Sequence, residues 1–317
     1  MRILVTGGAG FIGSHVAEAY LAVGHEVLVV DNLSSGKREN LPAGARFEQL
    51  DIRDKEISAL CQDWRPEVIC HQAAQVDVRR SVADPVFDAE VNILGMLGLL
   101  EAARAARVAK VIFASSGGAI YGEQETFPAP ETHPLNPCSP YGVSKLAGEK
   151  YLGYYRQVYG LPYVALRYAN VYGPRQDPFG EAGVVAIFAS KLIRGEQPII
   201  NGDGRQTRDY VFVADVARAN LLALKPGLSG AFNIGTGQET DVVSLFGELR
   251  SLAGSSAPAE HGPAKAGEQR RSVLDARLAA DRLGWRPEVG LKEGLRRTVD
   301  YFRAALGRAA LDKEGGA

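Results

Sequence analysis

Arg2-Ile3-Leu4-Val5-Thr6-Gly7-Gly8-Ala9-Gly10-Phe11-Ile12-Gly13 runs an apolar strand into glycines at 7, 10 and 13 and then into a helix. Glycine lets the chain turn tightly and lets an anion approach the backbone, while exposed N–H groups and the positive end of the helix dipole attract its charge. The surroundings complete the motif: a second apolar run, Glu26-Val27-Leu28-Val29-Val30, ends in Asp31. Strand, glycine turn, helix, strand and acid together predict a seat for a dinucleotide pyrophosphate. A carboxylate at position 31 accepts hydrogen bonds from the adenosine ribose and repels a 2′-phosphate, which favours NAD over NADP. Lys37 and Arg38 lie close downstream and keep an NADP site open as an alternative; we weigh them as loop charges.

Outward from this motif, short β-rich runs at 46–50, 67–71, 110–115 and 163–168 alternate with helical stretches. The alternation predicts an α/β fold of Rossmann type, a doubly wound parallel sheet with a smaller C-terminal substrate-binding domain. Residues 1–171, with 206–236 returning to them, are the expected NAD-binding domain. Residues 172–205 and 237–317, looser and punctuated by Gly/Pro turns, are the expected substrate domain. Ligands of doubly wound sheets lie beyond the carboxyl ends of the strands. The Gly7 turn, Asp31, Asp51, His71-Gln72-Ala73-Ala74 and Ser115-Ser116 all fall there. Two helical segments, 83–108 and 140–159, carry apolar residues around much of their circumference, Val91, Ile93, Leu94, Met96 and Leu97 among them. Such helices bury against a core or a partner, so this pair is expected to form a homodimer. A small-residue loop is expected over 255–267, a last helix over 291–306 and a fraying tail over 312–317.

Charge and cysteine usage exclude several classes. With 36 basic and 37 acidic side chains among 317 residues, the net charge is −1, and no basic run offers a footprint for nucleic acid or an anionic membrane. Cys61, Cys70 and Cys138 form neither a metal-ligand nor a redox spacing, so no metal is expected and a reducing cytosol suits them. The chain opens directly on a strand, and neither a signal peptide nor a membrane anchor is expected.

Tyr141-Gly142-Val143-Ser144-Lys145 sets a phenol and an ammonium four residues apart, on one helical face. With a pKa of about 10, tyrosine is a poor base at neutral pH, but a nearby ammonium and a cationic nicotinamide ring both favour its phenolate. Tyr141 is then able to remove a hydroxyl proton while hydride leaves the same carbon for NAD. A surface pair is the ordinary alternative for this spacing; the dinucleotide motif upstream weighs against it.

These pieces resemble the extended short-chain dehydrogenase/reductase family over nearly the whole chain, and within it the UDP-glucose 4-epimerase type. They are joined by Asp31-Asn32-Leu33, Asp51-Ile52, Asn92, Arg167-Tyr168-Ala169-Asn170-Val171-Tyr172-Gly173-Pro174-Arg175 and Thr207-Arg208-Asp209-Tyr210-Val211. The resemblance implies a tightly retained NAD and a UDP-hexose whose C4 is inverted through a 4-keto intermediate without net redox change. It implies an NAD set of Gly7, Gly10, Phe11, Ile12, Gly13, Asp31, Asn32, Ser35, Gly36, Asp51, Ile52, Gln72, Ala73, Ala74, Asn92, Ser115, Tyr141, Lys145 and Tyr168. Within that set, Asp51 and Ile52 meet the adenine, Asn92 the nicotinamide end and Lys145 the nicotinamide ribose. The implied substrate set is Asn170, Arg208, Lys265 and Glu268 for UDP, with Val185, Ile199, Asn201 and Ser272. Arg208 suits bidentate phosphate recognition, and Lys265 stands where the family carries an arginine, keeping the charge and losing the fork.

Two departures bear on chemistry. Where the family places a Ser or Thr that bonds the sugar 4-hydroxyl, this chain has Gly117. Ser116 or a water then relays the proton, or Tyr141 acts alone, and since such assistance is worth about 10²–10⁴ in rate, reduced chemistry is expected. Related dehydratases need an Asp-Glu pair where Gly118 and Ala119 stand, which disfavours dehydration. Ser272 falls at the family's gate for sugar size, and so small a side chain implies that UDP-GlcNAc and UDP-GalNAc fit as well. A related UDP-sugar decarboxylase, an epimerase of another nucleotide sugar and a non-catalytic NAD-binding member remain the alternatives.

Overall fold

β-Branched and apolar runs set the central sheet. The computed structural model describes residues 1–179, 183–264 and 269–314. In it β1 (Arg2–Thr6), β2 (Glu26–Val30), β3 (Arg46–Glu48), β4 (Val68–His71), β5 (Lys110–Ser116), β6 (Tyr163–Tyr168) and the strand Gly230–Ile234 form one seven-stranded sheet. Its order is Gly230–Ile234, β6, β5, β4, β1, β2, β3, and every neighbouring pair is parallel. Strands covered on both faces read as unbroken apolar runs; Ile3, Leu4, Val5 and Val27 through Val30 are accordingly buried. Strand order reverses between β1 and β4, which opens a crevice beyond their carboxyl ends.

Each face of the sheet has its own core. Helices Phe11–Ala22 and Val213–Leu222 bring Val16, Tyr20, Val216 and Ala219 to one. Helices Glu56–Trp64, Met96–Ala105 and Pro140–Tyr159 bring Ile57, Leu99, Leu100 and Leu152 to the other. A third core joins helices Val184–Ile193, Val242–Ala253 and Leu291–Glu314 through Phe188, Leu192, Phe246, Leu249, Leu295 and Phe302.

The structure departs from the expected elements in three places. Residues 83–108 are not one helix: Val78–Ala83 stops at Asp84, Pro85–Ala89 restarts, a wide π-type turn follows over Glu90–Gly95, and Met96–Ala105 completes the run. Pro85 has no N–H to continue the first helix, and the Asp84 side chain caps the second by accepting from the Phe87 N–H at 3.0 Å. The expected loop over 255–267 contains a strand, Glu260–Gly262, paired with Ile199–Asn201; residues 265–267 of it lie outside the described residues. The last helix continues to Glu314 where fraying was expected from 312, and 315–317 lie outside the described residues. Helix Pro140–Tyr159 is as expected, capped by Ser139 at its start and closed by Gly160 at φ 69°. Among the described residues no helix is long and apolar enough to cross a membrane.

Candidate active site

Steric necessity explains the first glycines. A Cβ on Gly7, where φ is +68°, would stand 2.6 Å from the Ala73 nitrogen, and one on Gly13 would stand 2.1 Å from the Gly7 carbonyl oxygen. Helix Phe11–Ala22 begins at Gly10 with no capping side chain, which leaves the N–H groups of Phe11, Ile12 and Gly13 for an anion. A turn with no room for a Cβ at positions 7 and 13, ending in uncapped N–H groups, fits a pyrophosphate. Beside it the Asp31 carboxylate accepts from the N–H groups of Ala9 at 3.0 Å and Leu33 at 2.8 Å. Gly36 lies against Asp31, where a Cβ would come within 2.8 Å of its Oδ1, and Ser35 is exposed next to it. Arg38 turns away to Gln49 at 2.6 Å and to the ring of Phe47, which suits a loop charge.

Asp51 is more occupied than its implied adenine role requires. Its Oδ1 accepts from the N–H and Nε of Arg53, and its Oδ2 from the other end of that guanidinium and from Asn32 at 2.7 Å. Four donors fill the acceptor positions of a carboxylate, and the Arg53 hydrogen bonds hold the group well below the usual carboxylate range. An adenine amine meets this carboxylate only by displacing one of them. Ile52 is buried against Gly95.

At the ends of β4, β5 and β6 the side chains hold one another. The Gln72 amide donates to Asn220 at 3.0 Å and to Tyr168, and Ala73 N–H donates to Thr6 Oγ1, with Ala73 and Ala74 half-buried. Ser115 donates to Glu149 at 2.6 Å, and Arg167 grips the same carboxylate through two nitrogens. Asn92 sits on the π-type turn, a distortion often found at functional sites. Its carboxamide donates to the Gln75 carbonyl and to Asp88 and accepts from the Gln75 N–H, all at 2.9 Å. It therefore clamps the loop that follows Ala74, and its own polar atoms are engaged with the protein.

The reacting groups gather at the carboxyl end of β5. Ser116 lies beside the Tyr141 phenol. The Lys145 ammonium donates to the Ala114 carbonyl at 2.9 Å and lies 5.7 Å from the centre of the Tyr141 ring. Enclosure pushes the Tyr141 hydroxyl well above the ordinary tyrosine value, and Ser116 lowers its pKa from there. Burial lowers Lys145 to about 8, with the Asp88 carboxylate opposing. Ammonium proximity alone thus does not give the phenolate expected from the spacing, because loss of solvent outweighs it. Gly117 has a physical explanation: a Cβ there would stand 2.4 Å from Leu274 Cδ1, so Leu274 fills the space a hydroxymethyl group needs.

On the substrate side, backbone bonds of 2.9 Å join Asn170 N–H to the Asp209 carbonyl and Asp209 N–H to the Ser272 carbonyl. Ser272 pairs opposite Arg208, which brings Asn170, Arg208 and Ser272 together. The Asn170 amide faces Gly118. Asn201 pairs with Gly262, beside an Ile199 that is 51% exposed. Val185 is 1% exposed, inside the third core, and is not brought to this cluster. Lys265 and Glu268 lie outside the described residues. Asp88, Asp209 and Leu274 were missed by the sequence reading. Asp88, between Phe87 and Ala89, is a carboxylate buried among apolar neighbours, a signal that was there to find, whereas the buried Asp209 follows Arg208 and carries no such signal.

A model of the NAD dependent epimerase/dehydratase family matches residues 3–235. A UDP-glucose 4-epimerase of Mycolicibacterium smegmatis is 49% identical over 309 residues, 96% of this chain and 99% of that one. Among solved structures, a UDP-glucose 4-epimerase of Thermotoga maritima with UDP-glucose is 52% identical, with a TM-score of 0.95 over 96% of this chain and 100% of that one. A UDP-glucose 4-epimerase of Thermus thermophilus in complex with NAD is 52% identical, with a TM-score of 0.91 over the same shares.

Proposed function

The chain belongs to the NAD dependent epimerase/dehydratase family, and from that premise we propose that it is a UDP-hexose 4-epimerase interconverting UDP-glucose and UDP-galactose. The observation that carries this reading is the Ser116, Tyr141 and Lys145 cluster, set in a sheet whose first turn is shaped for a pyrophosphate. Bound NAD supplies an acceptor, and then a donor, for the hydride at C4 of the sugar. The Gly7 to Gly13 turn holds the cofactor pyrophosphate, Asp31 the adenosine ribose and Lys145 the nicotinamide ribose. Tyr141 takes the proton of the sugar 4-hydroxyl as the C4 hydride leaves, and gives it back when hydride returns to the opposite face of the 4-keto sugar. Ser116 stays beside the phenol throughout and stands in for the hydroxyl that Leu274 leaves no room for at 117.

Asn170 and Arg208, with Lys265 and Glu268, hold the UDP portion in this reading. The small Ser272 leaves space for UDP-GlcNAc and UDP-GalNAc. Residues 1–171 with 206–236 serve NAD, and the remainder the substrate. Val86, Leu94, Val143, Tyr154 and Val158 are exposed on the helices flanking the site, a surface suited to a second copy in a homodimer. The free cysteines suit a cytoplasmic enzyme.

Incubating the purified protein with UDP-galactose, without added NAD, and following UDP-glucose by NMR tests the reading. Interconversion supports it. Carbon dioxide released from UDP-glucuronate instead identifies a decarboxylase, and no reaction with either identifies a binding role.

A further inference from the structure

Resting on the epimerase reading, we propose that Asp88 is a positioning residue for the reaction, a buried countercharge that keeps Lys145 an ammonium and pins the catalytic helix to the cofactor loop. Its side chain is fully buried, at 0% exposure. Oδ2 accepts from Ser144 Oγ at 2.6 Å, and Oδ1 accepts from Asn92 Nδ2 at 2.9 Å and Gln75 Nε2 at 3.1 Å. The π-type turn reaches the carboxylate through Asn92, and three further elements meet on it. Helix Pro85–Ala89 carries it, helix Pro140–Tyr159 reaches it through Ser144, and the segment after Ala74 reaches it through Gln75. Ser144 stands between Tyr141 and Lys145 in sequence, so the hydrogen bond at 144 sets the rotation and depth of the helix that presents both.

Those three donors are neutral and bring no positive charge to the carboxylate. A carboxylate taken out of water is stabilised when a positive charge answers it. Among the described residues, the titratable and charged groups around Lys145 include Tyr141 and Glu149 on its own helix, His71 at the end of β4 and Asp88. β5 presents the Ala114 carbonyl and the Phe113 ring to Lys145 and Ser116 to Tyr141, none of them charged. Glu149 is neutralised by Arg167 at 2.6 Å. Burial, reinforced by Lys145, drives His71 down to about 3, so it is neutral. Asp88 is left as the carboxylate whose field both Lys145 and Tyr141 feel. Its effect has one sign at both groups: it favours the proton on the amine and the proton on the phenol.

Asp88→Asn removes the charge while an amide of the same shape still accepts from Asn92 and Gln75 and donates to Ser144 Oγ. Both Lys145 and Tyr141 then deprotonate at lower pH. The expected result is a kcat profile displaced to lower pH by about one unit, with KM for UDP-galactose within about twofold of wild type. A role confined to packing lowers kcat at every pH and leaves the profile where it was. The same shift is read without sugar by NMR of Nζ-labelled lysine, with the Lys145 signal assigned by its loss in Lys145→Met. Ser144→Ala, which loses the hydrogen bond and keeps the carboxylate, is expected to leave the Lys145 titration in place. An unmoved Lys145 titration in Asp88→Asn, or an equal move in Ser144→Ala, overturns the proposal whether or not the wild type turns over sugar. Absence of interconversion by a wild type whose Lys145 titration does respond to Asp88→Asn overturns the epimerase reading alone.

Discussion

The two ends of the crevice are built from different materials. At the glycine turn the contacts are backbone against backbone, with Gly7 against Ala73 and Gly13 against the Gly7 carbonyl, and every part but the Ala73 loop lies within a few residues in sequence. At the other end the surfaces are side chains from distant segments: Ser116 and Gly117 on β5, Tyr141 on its helix, Asn170 after β6, and Ser272 and Leu274 far down the chain. Backbone cannot be traded for other backbone without moving the strands that carry it. Side chains can be exchanged in pairs, and Gly117 with Leu274 is such a pair: Leu274 fills the volume that a side chain at 117 would need.

The division breaks if damage at one end spreads to the other. Tyr141→Phe should lower turnover by about 10²–10⁴ while the purified protein retains its NAD, measured by release of nucleotide on denaturation; co-loss of NAD would show the ends to be inseparable. Gly13→Ala should do the reverse, because its methyl meets a carbonyl oxygen that cannot step aside. Overpacking of this kind costs about 1–3 kcal/mol, and the expected readout is protein purified without NAD whose turnover returns when NAD is added in excess. Gly117→Ser should cut turnover about tenfold through the clash with Leu274, on the same overpacking scale, and Leu274→Ala in the same chain should restore part of it. Failure of that rescue would make residue 117 as unyielding as the glycine turn. Raising pH removes the proton from Lys145, whose value burial has lowered to about 8, so kcat should be steady near neutrality and fall above that point. The smallest effect expected is at Ser272→Tyr, which should lower turnover of UDP-GlcNAc relative to UDP-glucose; an unchanged ratio removes Ser272 as the sugar gate.

The same contrast governs what could be read from the sequence. The glycine turn, Asp31 and the Tyr141 and Lys145 pair were legible because their chemistry depends on local spacing: three residues along a turn, four along a helix. The parallel sheet followed from alternating apolar runs. The break at Pro85 was visible as a proline, yet the apolar residues on either side made one helix of it. The filling of Asp51 by Arg53 was hidden because a carboxylate's identity says nothing of which donors reach it first. Gly117 read as a missing hydroxyl and not as room for Leu274, since no periodicity links positions so far apart. The apolar neighbours of Asp88 signalled a buried acid, but its role stayed hidden because its partners Ser144 and Gln75 come from two other segments.

The segments that carry Asp88, Asn92, Ser144 and Lys145 toward the crevice turn Val86, Leu94, Val143 and Val158 outward on their opposite sides. If that outer surface closes on a second copy, each monomer props the other's chemistry from behind. Dilution would then be felt at the reacting carbon, and specific activity would fall with protein concentration well before any strand of the sheet came apart.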